Sequence, residues 1–97
     1  MGQTIEINGS RRIGDSLVVD TDRSLAGQDG EAYTPGQASN SDTFPARLAE
    51  RLFESDPAIQ RVFVMSNAVT VTRSGGWTDE AEASVHDVVA RFFRFYD

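Results

Sequence analysis

Between Ile59 and Arg73 the chain reads IQRVFVM, then SN, then AVTVTR, and this stretch leaves little freedom of structure. Apolar and polar residues alternate with the period of a half-buried strand on both sides of a two-residue break. The spacing predicts strands over Ile59–Met65 and Ala68–Arg73, closed by a Ser66-Asn67 turn in which Asn67 tolerates a positive φ. In the first strand Ile59, Arg61, Phe63 and Met65 fall on one face, and Gln60, Val62 and Val64 on the other. In the second, Val69 and Val71 face one way while Thr70 and Thr72 face out.

Helical patterns flank this hairpin. Phe44, Leu48, Leu52 and Phe53 recur at helical spacing, with Arg47/Glu50 and Arg51/Glu54 paired at i,i+3 on the opposite side. Asp42 or Thr43 can cap that helix, Pro45 suits its first turn, and Asp56-Pro57 stops it. After Ser74-Gly75-Gly76, Thr78 caps a second helix with Asp79, Glu80 and Glu82 in its first turns, where negative charge complements the helix dipole. Its buried stripe is Ala81, Val85, Val88, Val89, Phe92, Phe95 and Tyr96.

Upstream, Thr4–Ile7 alternates as a strand, NGSRRIGD reads as a turn-rich connection, and Ser16–Asp20 is a second β-branched run. Residues 26–42 are rich in Gly, Pro, Ser, Asn and Gln and form a long flexible loop, with Tyr33 as a short edge strand in its middle. The predicted fold is a single α+β domain over residues 1–97. It has two layers in the order β-β-α-β-β-α, an antiparallel-dominated sheet with both helices packed on one face.

Composition narrows the function. The chain of 97 residues has a formal charge of −6, which argues against nucleic acid, and its nine basic residues are all arginine. It has no cysteine, so disulfides, zinc–thiolate sites and cysteine nucleophiles are absent together. No apolar run reaches the roughly 20 residues of a membrane span, and the N-terminus lacks a basic stretch followed by a hydrophobic segment. A cytoplasmic location follows as the expectation, and the Asn8-Gly9-Ser10 sequon is then a chance match.

Motifs for catalysis are thin. His86, with Glu82 one turn before it, reads as a solvated pair rather than an acid–base couple. Asp15, Asp20 and Asp22 lack the loop spacing and distal Glu of a calcium site. There is no phosphate loop and no nucleophile elbow. The sequence therefore predicts no catalytic residue, cofactor or metal. Candidate partner-binding residues are Arg11 and Arg12, a basic doublet that also serves solubility, and Phe93 and Tyr96. Phe92, Phe93, Phe95 and Tyr96 give the last helical turn more aromatic area than one buried stripe needs. Two readings stay open: a protein interface, or packing beneath the long loop.

Read together, Pro45, Leu48, Ala49, Leu52, Phe53, Ile59, Val62, Phe63, Val69, Thr70, Val71, Thr72 and Trp77 resemble the N-terminal domain of the NifU-like (Nfu) iron–sulfur scaffold proteins. They follow in order its P-L-A-x-x-L-F helix, V-x-x-V-F strand, V-T-V-T strand and helix-leading Trp, over about half the chain. The family's T-P-N-P-N stretch is absent; Gly9–Asp15 stands in its place. The family's cluster belongs to a following C-x-x-C domain, which this chain lacks. The resemblance implies a non-catalytic accessory domain, free-standing or excised, that associates with iron–sulfur assembly or recipient proteins as a monomer or weak homodimer. Small-molecule binding or regulation, with the sheet and long loop as the pocket, is the alternative.

Overall fold

A computed structural model describes residues 7–22, 29–35 and 44–96, apart from the side chains of 44 and 92–96. The elements are β1 (Ile7–Ile13), β2 (Ser16–Thr21), β3 (Glu31–Tyr33), α1 (Phe44–Ser55), β4 (Ile59–Met65), β5 (Ala68–Arg73) and α2 (Asp79–Tyr96). The strands form one five-stranded sheet in the order β1-β2-β5-β4-β3, and every neighbouring pair is antiparallel. This is the α+β architecture expected from the sequence, with β3 as the short edge strand holding Tyr33. Of the expected loop 26–42, residues 29–35 are described. The rest of it, the Asp42/Thr43 cap and the strand residues Thr4–Glu6 lie outside the described residues.

The two helices cover one face of the sheet. Strand alternation sends Leu17 and Val19 of β2, Val69 and Val71 of β5, and Val62 and Val64 of β4 towards them, all fully buried. Leu48 and Leu52 of α1 and Val85 and Val89 of α2 close the core from above. Burying each Leu or Val in this way stabilises the fold by about 1.5–3 kcal/mol. Thr78 caps α2 as expected: its Oγ1 accepts the Ala81 amide at 3.1 Å.

Three local expectations are corrected. NGSRRI is strand rather than connection, because Ile7–Ile13 pairs along β2 and only Gly14-Asp15 is left as the turn. Ile59 does not share a face with Arg61, Phe63 and Met65. A β-bulge at Gln60 breaks the β4–β5 register, so Ile59 joins Val62 and Val64 in the core. In the β4–β5 turn the positive φ, 53°, belongs to Ser66 and not to Asn67. Asn67 is used instead as a pin: its carbonyl accepts from the Thr21 amide and hydroxyl, both at 2.9 Å, and its Nδ2 donates to the Thr21 carbonyl.

Candidate functional site

β1 divides its side chains between two environments. Ser10 and Arg12 point to the helix face, and Gly9, Arg11 and Ile13 to the other, because strand side chains alternate. On the helix side, Arg12 Nη2 meets Asp79 Oδ1 and Arg12 Nε meets Glu82 Oε1, both at 2.8 Å. Ser10 Oγ donates to Glu82 Oε2, and His86 Nε2 lies 2.8 Å from Ser10 Oγ. The hydrogen bond from Ser10, then that from Arg12, holds the Glu82 carboxyl below its ordinary range. The Arg12 guanidinium is driven further towards its charged form, first by Asp79 and then by Glu82.

Ser10, Glu82 and His86 have the residue types of a nucleophile, acid and base, but the protons are in the wrong places. An ionised Glu82 can only accept, so the single hydroxyl proton of Ser10 goes to it. His86 Nε2 must then carry its own proton and donate to Ser10 Oγ. A nitrogen already donating cannot deprotonate that hydroxyl, and the carboxylate sits 3.7 Å from the same nitrogen rather than orienting the far one. This cluster is a polar clamp joining the edge strand to the first turns of α2.

Among the described residues no helix covers the opposite face of the sheet; outside the strands, Gly30 lies against its Phe63 and Met65 edge. The register sets its side chains in three rows. Arg11, Val18, Thr70, Phe63 and Ala32 form one; Ile13, Ser16, Thr72 and Arg61 the next; Gly9, Asp20, Ala68 and Met65 the third. Small residues of β2 and β5 make a floor, and larger ones of β1 and β4 make two walls about 14 Å apart at the backbone. A cavity of about 240 Å³ lies on this floor, lined by Ser16, Arg61, Phe63, Thr70 and Thr72. Ile13 and Met65 are 58% and 41% exposed here, the large apolar side chains most open to solvent among the described residues.

The arginines are distributed unevenly. Arg12, Arg47, Arg73 and Arg91 are each ion-paired, to Asp79 and Glu82, Glu50, Asp56 and Asp87. Arg11 and Arg61 make no such contact among the described residues. Both stand on the face that no described helix covers.

The expected partner-binding residues therefore separate. Arg11 faces the open sheet, Arg12 is held in the clamp, and the side chains of Phe93 and Tyr96 lie outside the described residues. Asp15 sits in the β1–β2 turn, its carbonyl accepting from Trp77 Nε1 at 2.9 Å and from the Arg73 amide at 3.0 Å. Asp20 is on the open face, and Asp22 follows β2. Among the described residues no three metal-ligating side chains come together. Arg61, Phe63 and Met65 were not singled out as functional by the sequence. The signal was their bulk at outward positions of a strand whose inward positions were already filled by Val62 and Val64.

Among the described residues no helix is long and apolar enough to cross a membrane. No family model matches the chain, and no curated protein matches it either. Among solved structures, the X-ray crystal structure of protein SAV1430 from Staphylococcus aureus, a structural genomics target, is similar with a TM-score of 0.66. The match has 15% sequence identity and covers 86% of this chain and 96% of that one. At that identity the likeness carries the fold: an antiparallel sheet with two helices, α+β in class.

Proposed function

We propose that this chain is a non-catalytic protein-recognition domain acting in iron–sulfur cluster assembly or delivery in the cytoplasm, as a monomer or weak homodimer. The observation that carries the recognition half is the sheet face that no described helix covers, where exposed Ile13 and Met65 stand beside Arg11 and Arg61, which have no ion-pair partner among the described residues. Apolar area rimmed by arginine is the composition of a protein interface. The pathway half is supported by the resemblance of residues Pro45–Trp77 to the Nfu N-terminal domain. With no cysteine, the chain's share of that work is contact with an assembly or recipient protein rather than thiolate ligation of the cluster.

Affinity capture of the tagged chain from its own organism, followed by pairwise binding of the purified components, tests this. Recovery and direct binding of a cluster scaffold, sulfur-transfer or cluster-requiring protein is the expected result. Reproducible recovery of proteins unconnected with clusters would remove the pathway half. A second reading, a small-molecule-binding domain, is favoured by the cavity on the sheet floor. A ligand retained in native mass spectra and displaced by Thr72→Trp would establish it.

A further inference from the structure

We infer that the trough on the open sheet face binds an extended, acidic segment of a partner protein, with two carboxylates received by Arg11 and Arg61. The inference rests on the reading of this domain as a protein-recognition module and names the chemistry of its partner.

A chain with a formal charge of −6 matches most of its described arginines to carboxylates elsewhere, yet Arg11 and Arg61, on one face, have no such match among the described residues. Unpaired guanidinium groups on such a face are suited to receive carboxylates from outside, which they bind through a planar fork of N–H donors. Among the described strand residues, Asp20 is the acidic side chain that the register puts on the same face. It lies one row beyond Arg11 and two beyond Arg61, at the Met65 end. Negative charge is therefore welcome at the Arg11 and Arg61 rows and repelled beyond them.

The register then specifies a pattern. At one level Arg11 stands on the β1 wall opposite Phe63 on the β4 wall, and at the next Ile13 stands opposite Arg61. Each level thus pairs a cation with an apolar side chain, on alternating sides. A segment lying along the trough with its side chains turned to the two walls would meet Arg11, Phe63, Ile13 and Arg61 in succession. That order asks for acidic, apolar, apolar, acidic. Three residues of extended chain span about 10 Å. The remaining distance between the walls falls within the reach of two arginine side chains. The floor of Ser16, Val18, Thr70 and Thr72 is low enough to admit a backbone and offers hydroxyls to it. Ser16 and Thr72 already bond each other at 3.2 Å. Nucleic acid, the other polyanion that an Arg–Phe surface can hold, is disfavoured by the chain's overall negative charge.

The test is titration of the full ¹⁵N-labelled chain with a capped decapeptide carrying Glu-Val-Val-Glu at its centre. The matching Gln-Val-Val-Gln and Lys-Val-Val-Lys peptides and an oligothymidylate are titrated in parallel. The expected result is saturable shifts at Arg11, Ile13, Ser16, Arg61 and Thr72, with affinity about tenfold weaker for the Gln peptide. Arg11→Glu/Arg61→Glu, at exposed positions and checked for folding by circular dichroism, should prefer the Lys peptide. Equal binding of Glu and Gln peptides, shifts confined to another surface, or tighter binding of the oligothymidylate would each overturn the inference. If a captured partner still binds the double variant as tightly as the parent chain, the acidic segment is refuted while the recognition role stands. If the peptide binds as described but purified cluster proteins do not, the pathway reading fails instead.

Discussion

Arg73 Nε donates to Asp56 Oδ2 at 2.7 Å, fastening the end of the β4–β5 hairpin to the first residue after α1. Asp56 Oδ1 accepts the Ala58 amide at 2.9 Å, Arg73 Nη1 donates to the Gly76 carbonyl at 2.8 Å, and the guanidinium stands 6.0 Å from the centre of the Trp77 ring. One carboxylate thus fixes both the stop of a helix and the exit of a hairpin. Asp56→Ala is expected to lower stability by about 1–2 kcal/mol, since the Arg73 guanidinium and the Ala58 amide, both donors to it, lose their partly buried charged acceptor. Asp56→Asn, which keeps the Ala58 bond, should lose less. Urea denaturation followed by circular dichroism separates the two variants.

Acid should weaken the fold through two identifiable groups. Arg73 first, and then the Ala58 amide, hold Asp56 below its ordinary value of 3.8; Ser10 and then Arg12 hold Glu82 below 4.5. A carboxylate with a depressed native pKa contributes stability that is fully present above its unfolded value and is lost as pH falls through the native one. The melting temperature is therefore expected to stay flat on this account above about pH 5 and to fall below it. In Glu82→Gln the part of that fall that begins nearest 4.5 should disappear. Thermal melts at half-unit pH steps check both statements.

Gly30 and Phe63 fit only because Gly30 has no side chain. Its φ is +74°, and a Cβ built there would come within 2.5 Å of Phe63 Cζ and 3.0 Å of Met65 Cβ. Gly30→Ala is expected to lose about 1–3 kcal/mol through backbone strain and overpacking. Phe63→Leu in the same chain should restore only part of that, because the φ and the Met65 contact remain. Chemical denaturation of the single and double variants measures it.

Ser66 offers the opposite result. Its φ of 53° is the left-handed conformation at the first position of a two-residue hairpin loop, a place glycine fills without a Cβ penalty. Ser66→Gly trades that strain for a more flexible unfolded chain, and the balance should be a gain of about 0.5 kcal/mol. A small rise in melting temperature, with unchanged far-ultraviolet circular dichroism, is the outcome sought.

The sequence made some of these features legible and hid others for physical reasons. β4 and β5 were readable to the residue because Val62/Val64 and Val69/Val71 alternate with polar or outward residues across a short turn. β1 was hidden because its inward positions, Ser10 and Arg12, meet polar partners on α2 instead of the core. Strand patterning that depends on hydrophobic alternation does not register such a face. The bulge at Gln60 left no composition cue, and it moved Ile59 to the side opposite the one its spacing implied. The clamp joins Ser10 to His86, 76 residues apart, so local reading met only the Glu82–His86 pair one helical turn apart. The open face required the register itself, since Arg11 and Arg61 become neighbours of one trough only when β2 is laid against β5.

That pairing of β2 with β5 also orders events in time. β1–β2 and β4–β5 are joined by two-residue turns, so each hairpin can form from local chain, on the scale of microseconds. Their union brings Thr21 beside Asn67 across 46 positions of sequence, and the entropy of closing that span is lost before the seam's contacts exist. The molecule is in this sense two early ribbons and one late seam. Because closure cost grows only with the logarithm of length, by about 0.6 kcal/mol per doubling, the chain between the ribbons can lengthen greatly at small thermodynamic cost. A relative of this fold could carry a much longer insertion there and still close the same sheet.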